Sequence, residues 1–350
     1  MARVLKRHIN RYPYILCNTM NIMNTMYFQG EEGYMRLLKE TLGNGESKTT
    51  RNGVVVSMFG CMINFKDIAT SFPLITSKKM FFRGIVEELL WFLRGSTNAN
   101  ELKQKKVHIW DGNSTREYLD SIGLDYPEGE LGPIYGWQWR KFGKEYAATV
   151  SDAAAATADT DIYNDINGAD DAAVADTYCE DAKGIDQIKY VLEELSKDTN
   201  SRRAVLSAWN PSDLKKMALP PCHILYIFNR SSKGLSCHLT LRSSDLFLGL
   251  PFNIASTALL THIFAHVLHI PANEISLSIC DAHIYEEHTQ QVAKQIDSEM
   301  YDLPKVLIKK EAPDIASSID EKIRWIEELA FEDFELSNYT SGVSLPAVMK

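Results

Sequence analysis

The run FNIASTALLTHIFAHVLHI, Phe252 to Ile270, limits the fold more than any other stretch of the chain. It is apolar on nearly every face of the helix it spells. A helix without a polar side has to be enclosed by the rest of the protein. It needs a large core around it, and 350 residues can supply one, in one domain or two.

The enclosing elements are legible nearby. CHILYIFNR and LSCHLTLR are β-type runs joined by SSKG, a hairpin pattern between Leu206 and Arg242. Upstream, GYMRLLKETLGNG reads as a short amphipathic helix closed by glycine at Gly45, and VVVSMFGCMINF as strands around a turn at Gly60. FFRGIVEELLWFLRG has helical length and composition. Strands and helices mix without strict alternation, which predicts an α/β chain of α+β type.

Two segments stand apart. Residues 1–26 hold Arg3, Lys6, Arg7 and Arg11, with no acid before Glu31. That suits either an organelle-targeting segment or a disordered basic extension. The tract from about 147 to 183 is rich in Ala, Asp and Thr and reads as an acidic surface loop or disordered insert. Its DTDIYNDING lacks the ligand spacing of a calcium loop.

A net charge of −9 gives no sign of a nucleic-acid surface or a membrane face. No apolar run is expected to serve as a span of ~20 residues. The six cysteines form no C-x-x-C pair, so neither a metal cage nor a disulfide framework is indicated. Reduced thiols in a cytoplasmic setting follow.

One of these cysteines has unusual neighbours. In KKMALPPCHILYIFNR, Pro220 and Pro221 fix φ just ahead of Cys222 and hold the thiol at a strand start. Strand alternation groups Cys222 with Ile224 and Tyr226 and sends His223 to the other face. His223 is therefore set aside as a base for the thiol. Arg202 and Arg203 in NSRRAVLSAWNP, and Arg242 beside Ser243, Ser244 and Asp245, suit a phosphate monoester through forked, charge-assisted hydrogen bonds. Guanidinium charge nearby is expected to lower the thiol pKa.

Helical spacing separates Glu87, which falls over Arg83, from Glu88, which falls among Ile85, Trp91 and Phe92. A carboxyl on an apolar face is pushed toward neutrality, as a general acid or base requires. Asn253 stands where an N-cap belongs, and its amide can also read a base edge. His283 and Tyr285 alternate onto one strand face, where both can hydrogen-bond a sugar.

Together these segments resemble thymidylate synthase. SRRAVLSAWNPSDLKKMALPPCH, RSSDLFLGLPFNIAS and DAHIYEEH occur in that family's order and spacing. So do FPLITSKKMFFRGIVEELLWFLRGSTNANELK, VHIWDGN and GELGPIYGWQWRKFG upstream. The similarity runs from about Tyr27 to FEDFEL near the end, omitting the acidic tract, and makes 27–350 one domain. It implies a mixed twisted β-sheet flanked by helices and a sheet-to-sheet homodimer.

The implied reaction is methylation of dUMP by methylene-tetrahydrofolate, with Cys222 adding to C6 of the uracil. Glu88 and Tyr135 would serve proton transfer. Arg51, Arg242, Ser243, Ser244 and Asp245 would bind the nucleotide, with Arg202 and Arg203 arriving from the partner subunit. Asn253 would read the uracil edge, and His283 and Tyr285 would hold the deoxyribose. Lys78, Trp110, Asn113, Asp245, Gly249, Phe252 and Ala347 would line the folate side. No metal is implied.

The chain departs from the pattern in places. Leu241, Thr257 and Ile227 stand where Gln, Tyr and Gln are usual, and period-two counting lets Leu241 extend an apolar face with Leu235, Cys237 and Leu239. RNGVVVS lacks the second glycine of R-T-G-x-G. The tail NYTSGVSLPAVMK keeps Ala347-Val348 but lacks Pro-His-Pro. A looser tail would favour a hydroxymethylase of the same fold, since water and hydride compete for one intermediate. A dCMP substrate is disfavoured by Asn253, and a non-catalytic nucleotide- or RNA-binding paralogue by the retained Cys222 and Glu88.

Overall fold

A computed structural model describes residues 27–147 and 184–349. The basic segment 1–26 and all but the first residue of the acidic tract lie outside them.

Strand β1 (Tyr27–Gln29) runs straight into helix α1 (Gly30–Asn44), which buries Tyr34, Leu37 and Leu38. The turn Arg51-Asn52 then joins β2 (Glu46–Thr50) to β3 (Gly53–Phe65). The turn expected at Gly60 does not exist, and β3 is one continuous strand. Gly60 takes φ +79° inside it, and pairing with the neighbouring strand resumes at Cys61. Glycine accepts that left-handed step without ending the ladder.

Helix α2 (Phe82–Leu93) packs on α3 (Tyr135–Lys141). After α4 (Gln187–Lys197) come β4 (Val205–Ser207), the hairpin β5 (His223–Ser231) and β6 (Gly234–Asp245), helix α5 (Gly249–Val267), and β7 (Ala272–Tyr285). Helix α6 (Thr289–Ile296), β8 (Lys305–Ile308), α7 (Ile319–Glu327) and β9 (Phe334–Ser337) complete the ordered elements named here. The main sheet runs β1-β3-β7-β6-β5-β4, with β2 paired to β3. Its β1–β3 and β6–β7 pairs are parallel and the others antiparallel, so it is mixed, as the α+β reading requires.

Leu235, Cys237, Leu239 and Leu241 line one face of β6, and Ile275, Leu277 and Ile279 line the same face of β7. All are buried, and α5 lies against these two strands. Helix α5, at 19 residues, is long and apolar enough to cross a membrane by length and composition, contrary to the sequence reading. Its apolar surface goes into the protein instead: 72% of that window is buried in the fold. On the opposite sheet face, Ser236, His238, Thr240, Ser276 and Ser278 are only half-buried.

The strands slip phase along one line across this sheet. Gly60, Cys280 and Arg242 stand level with one another and outside the paired register, and a bulge lies between His223 and Leu225 on β5. Below the line Ile279 and Leu241 are buried; above it Ala282, Ile284 and Ser244 are. Arg242 and Ser243, though consecutive, are therefore both left off the buried face. Bulges re-aim side chains in this way.

Candidate active site

Cys222 immediately precedes β5, at the bulged end of the hairpin. The prolines before it do more than stiffen the chain. Arg242 Nε donates to the Pro221 carbonyl at 2.7 Å and Nη2 to that of Pro220 at 2.8 Å. The same Nη2 lies 3.7 Å from the Cys222 sulfur. A proline pair thus presents two carbonyls that a fork-shaped cation fits. The cation in turn faces the thiol.

The thiol pKa moves the other way from the sequence reading. Burial raises it, and the Arg242 charge only partly opposes the rise. Within one chain, desolvation of a thiolate outweighs a single nearby guanidinium.

Strand alternation also fails here. The bulge brings His223 and Tyr226 together, with Tyr226 Oη and His223 Nδ1 at 3.0 Å. His223 stacks on Tyr135 with ring centroids 4.0 Å apart. Burial pushes its pKa down to about 3, so it stays neutral. The sequence reading put His223 and Tyr226 on opposite faces, and a bulge that brings them together leaves no mark in a period-two count. Tyr135, at the start of α3, accepts a hydrogen bond from the Cys222 backbone N–H at 2.8 Å.

Glu88 behaves as its helix face predicts. The Trp110 indole donates to it at 2.8 Å, and burial raises its pKa to about 7 against that bond. Glu87 is the better covered of the two, at 3% exposure, yet it is paired with Lys105 at 2.6 Å. Pairing, rather than depth alone, separates their roles.

A cavity of about 390 Å³ opens beside this cluster, lined by Arg51, Asn52, Arg242, Ser243, His283 and Tyr285 among others. Its size suits a small ligand. His283 Nδ1 lies 2.9 Å from Asp281 and 3.4 Å from Ser243 Oγ. Ser244 is buried and does not line the cavity. Asn253 is not an N-cap, because α5 starts at Gly249 with Leu248 as its cap residue. Its side chain lies within the helix, half-buried, and makes no hydrogen bond among the described residues. Arg202 and Arg203 are exposed and line no part of this cavity.

Asp245 belongs to a second cluster. It accepts from the Phe247 N–H at 2.8 Å and lies 3.8 Å from His288 Nδ1. Lys78 donates to the Phe247 carbonyl and sits 3.8 Å from the Phe247 ring centre. Burial lowers its pKa to about 7, with Asp245 opposing the fall. His288 Nε2 bonds the Val348 carbonyl at 2.9 Å, beside a pocket of about 330 Å³ that Ala347 helps to line. Phe252 packs half-buried on the core, and Asn113 sits in the short helical turn after Trp110. The sequence reading had missed His288.

This arrangement defines a class: an α/β protein whose mixed sheet carries, beside a thiol, an arginine that lines a small cavity. The family follows from comparison. A thymidylate synthase family model matches residues 32–350, and the chain belongs to that family. It is 43% identical to a bifunctional dihydrofolate reductase-thymidylate synthase of Zea mays over 82% of this chain and 50% of that protein. It is 40% identical to a second such protein of Arabidopsis thaliana over 91% of this chain and 50% of that one. Thymidylate synthase 1/2 of Encephalitozoon cuniculi is 38% identical over 88% of this chain and 93% of its own length. The chain thus spans about half the length of the bifunctional relatives.

Proposed function

We propose that this chain methylates dUMP to dTMP, with methylene-tetrahydrofolate as co-substrate. The observation that carries the reading is Cys222 held 3.7 Å from Arg242, which lines a cavity together with Arg51, Ser243, His283 and Tyr285. Phosphate, sugar and pyrimidine each find the chemistry they need there.

Arg51, Arg242 and Ser243 take the phosphate, and His283 and Tyr285 the sugar hydroxyl. Asn253 offers one donor and one acceptor to the uracil edge, which suits its unpartnered amide. So fixed, the ring presents C6 to the Cys222 sulfur. The thiolate forms the S–C6 bond, and the electron pair displaced from the C5–C6 double bond makes C5 nucleophilic. Glu88, titrating near 7, moves protons at the pyrimidine, with Tyr135 supporting. The folate, when bound, supplies the one-carbon unit and then a hydride, and leaves as dihydrofolate. When the product forms, the S–C6 bond breaks and the thiol is restored.

The second cluster fits that folate. Trp110, 7% exposed, and half-buried Phe252 offer flat apolar faces, Asp245 an acceptor carboxylate and Lys78 a cation. Buried His288 Nδ1 has no hydrogen-bond partner among the described residues, a polar position 3.8 Å from Asp245 that a ligand can complete.

The exposed Arg202 and Arg203 are assigned to the phosphate of a partner subunit, the two sheets meeting through their half-buried faces. That partner charge would further lower the thiol pKa. A free nucleophilic thiol fits a reducing cytoplasm.

Product mass tests the reading. Incubation of the protein with dUMP and methylene-tetrahydrofolate should give a gain of one methyl. A hydroxymethyl gain alone would overturn it. Cys222→Ser should still bind dUMP yet fail to dehalogenate 5-bromo-dUMP, a folate-independent reaction.

A further inference from the structure

We infer that Asn52 is a positioning residue that ties Arg51 to Tyr285 and so holds the β2–β3 turn over the anion end of the cavity. The inference deepens the nucleotide reading of this pocket.

Three observations meet at Asn52. Arg51 Nε donates to its Oδ1 at 3.3 Å, which fixes the guanidinium from behind. Its side chain shares the lining of the cavity with Tyr285, where burial raises the pKa of that phenol and Asn52 opposes the rise. Arg51, Asn52 and Tyr285 all line the cavity. An amide has one acceptor and two donor hydrogens, so it can face a cation on one side and a phenol oxygen on the other.

The backbone does not demand this residue. Asparagine is favoured in tight turns where φ is positive, but Asn52 is not among the positive-φ positions of the described chain. The turn obtains its left-handed residue from Gly53, at φ +125°. Register explains the reach. Val55 pairs with Tyr285, so the Arg51-Asn52 turn overhangs the end of β7. Val55 is 2% exposed and stands where the family pattern has a second glycine. A strand locked there shifts control of the turn to the side chain at its tip.

The test is a pair of double-mutant cycles read by equilibrium binding, with inorganic phosphate and dUMP as separate probes. Asn52→Ala should weaken both about 10-fold, the scale of one or two charge-assisted contacts. In an Arg51→Ala or a Tyr285→Phe background the same change should add less than about 2-fold, because the bridge is already broken. An unchanged affinity in Asn52→Ala overturns the proposal, as does a full multiplicative loss in both backgrounds. So does an unaltered chain that binds neither anion. Phosphate binding without dUMP binding, with the cycles intact, would support the bridge and overturn the nucleotide reading alone.

Discussion

The Arg242 guanidinium stands 3.7 Å from the Cys222 sulfur while two of its nitrogens are fixed by the carbonyls of Pro220 and Pro221. One cation therefore anchors the loop and faces the thiol. Arg242→Lys keeps the charge but not the fork, and a single ammonium cannot serve both carbonyls in that geometry. Losing one or two charge-assisted bonds of roughly 1.5–3 kcal/mol each should lower kcat/KM by at least about 10-fold. Arg242→Gln removes the charge as well, and in it the pH profile of iodoacetamide alkylation at Cys222 should move upward. An unshifted profile would separate the arginine from the thiol's ionisation.

Glu88 gives a pH prediction with a definite sign. Burial holds its pKa near 7 in the folded chain against an ordinary 4.5. Between those values the folded state keeps a proton that the unfolded state has lost. Stability therefore falls as pH rises through that window, by on the order of 3 kcal/mol once pH exceeds 7. Glu88→Gln keeps an acceptor for Trp110 and carries no charge. Denaturant titrations should find it more stable than the unaltered chain by about 1–3 kcal/mol at pH 8 and nearly equal at pH 4.5. Turnover should be lost at both values.

Gly132 shows how tightly the approach to Cys222 is built. It has φ +75°, and a Cβ added to it would lie 2.1 Å from the Lys216 carbonyl oxygen, which also accepts from Tyr126 Oη at 3.0 Å. Backbone cannot yield as a side-chain tip can. Gly132→Ala should cost about 2 kcal/mol or more in stability and displace the chain leading to Pro220. A thermal midpoint within a degree of the unaltered protein would contradict the packing described here.

The enclosed helix, the hairpin and the Leu241 face were legible because each follows a single period over many residues. Glu88 was legible for the same reason, since helical spacing placed it among Ile85, Trp91 and Phe92 and the structure buries it. Features that break a period were not. Gly60 looked like a turn because glycine marks both turns and strand kinks, and only its pairing partners decide between them. His223 was misplaced by a bulge. The net rise of the Cys222 pKa was hidden because depth of burial is a property of the packed chain. Asn253 misled for a plainer reason: α5 starts four residues earlier, at Gly249.

The tail bears on the product of the proposed reaction. Tyr339 Oη accepts from the Met80 N–H at 2.9 Å, Gly342 N–H reaches the Thr76 carbonyl at 2.8 Å, and His288 Nε2 holds the Val348 carbonyl at 2.9 Å. The tail is thus docked without Pro-His-Pro, which weighs against the looser lid that its sequence suggests. In the proposed reaction, excluding water would matter only after the thiol has added and the one-carbon unit has arrived, because hydride and water would then compete. His288→Phe removes the last of these contacts. Dehalogenation of 5-bromo-dUMP needs no folate and should stay within about 3-fold, while dTMP formation falls by 10-fold or more. Mass spectrometry should find hydroxymethyl product in its place. If both reactions fell in parallel, His288 would be supporting the thiol's surroundings rather than the lid, and closure would have to be credited to the anchors at Tyr339 and Gly342 alone.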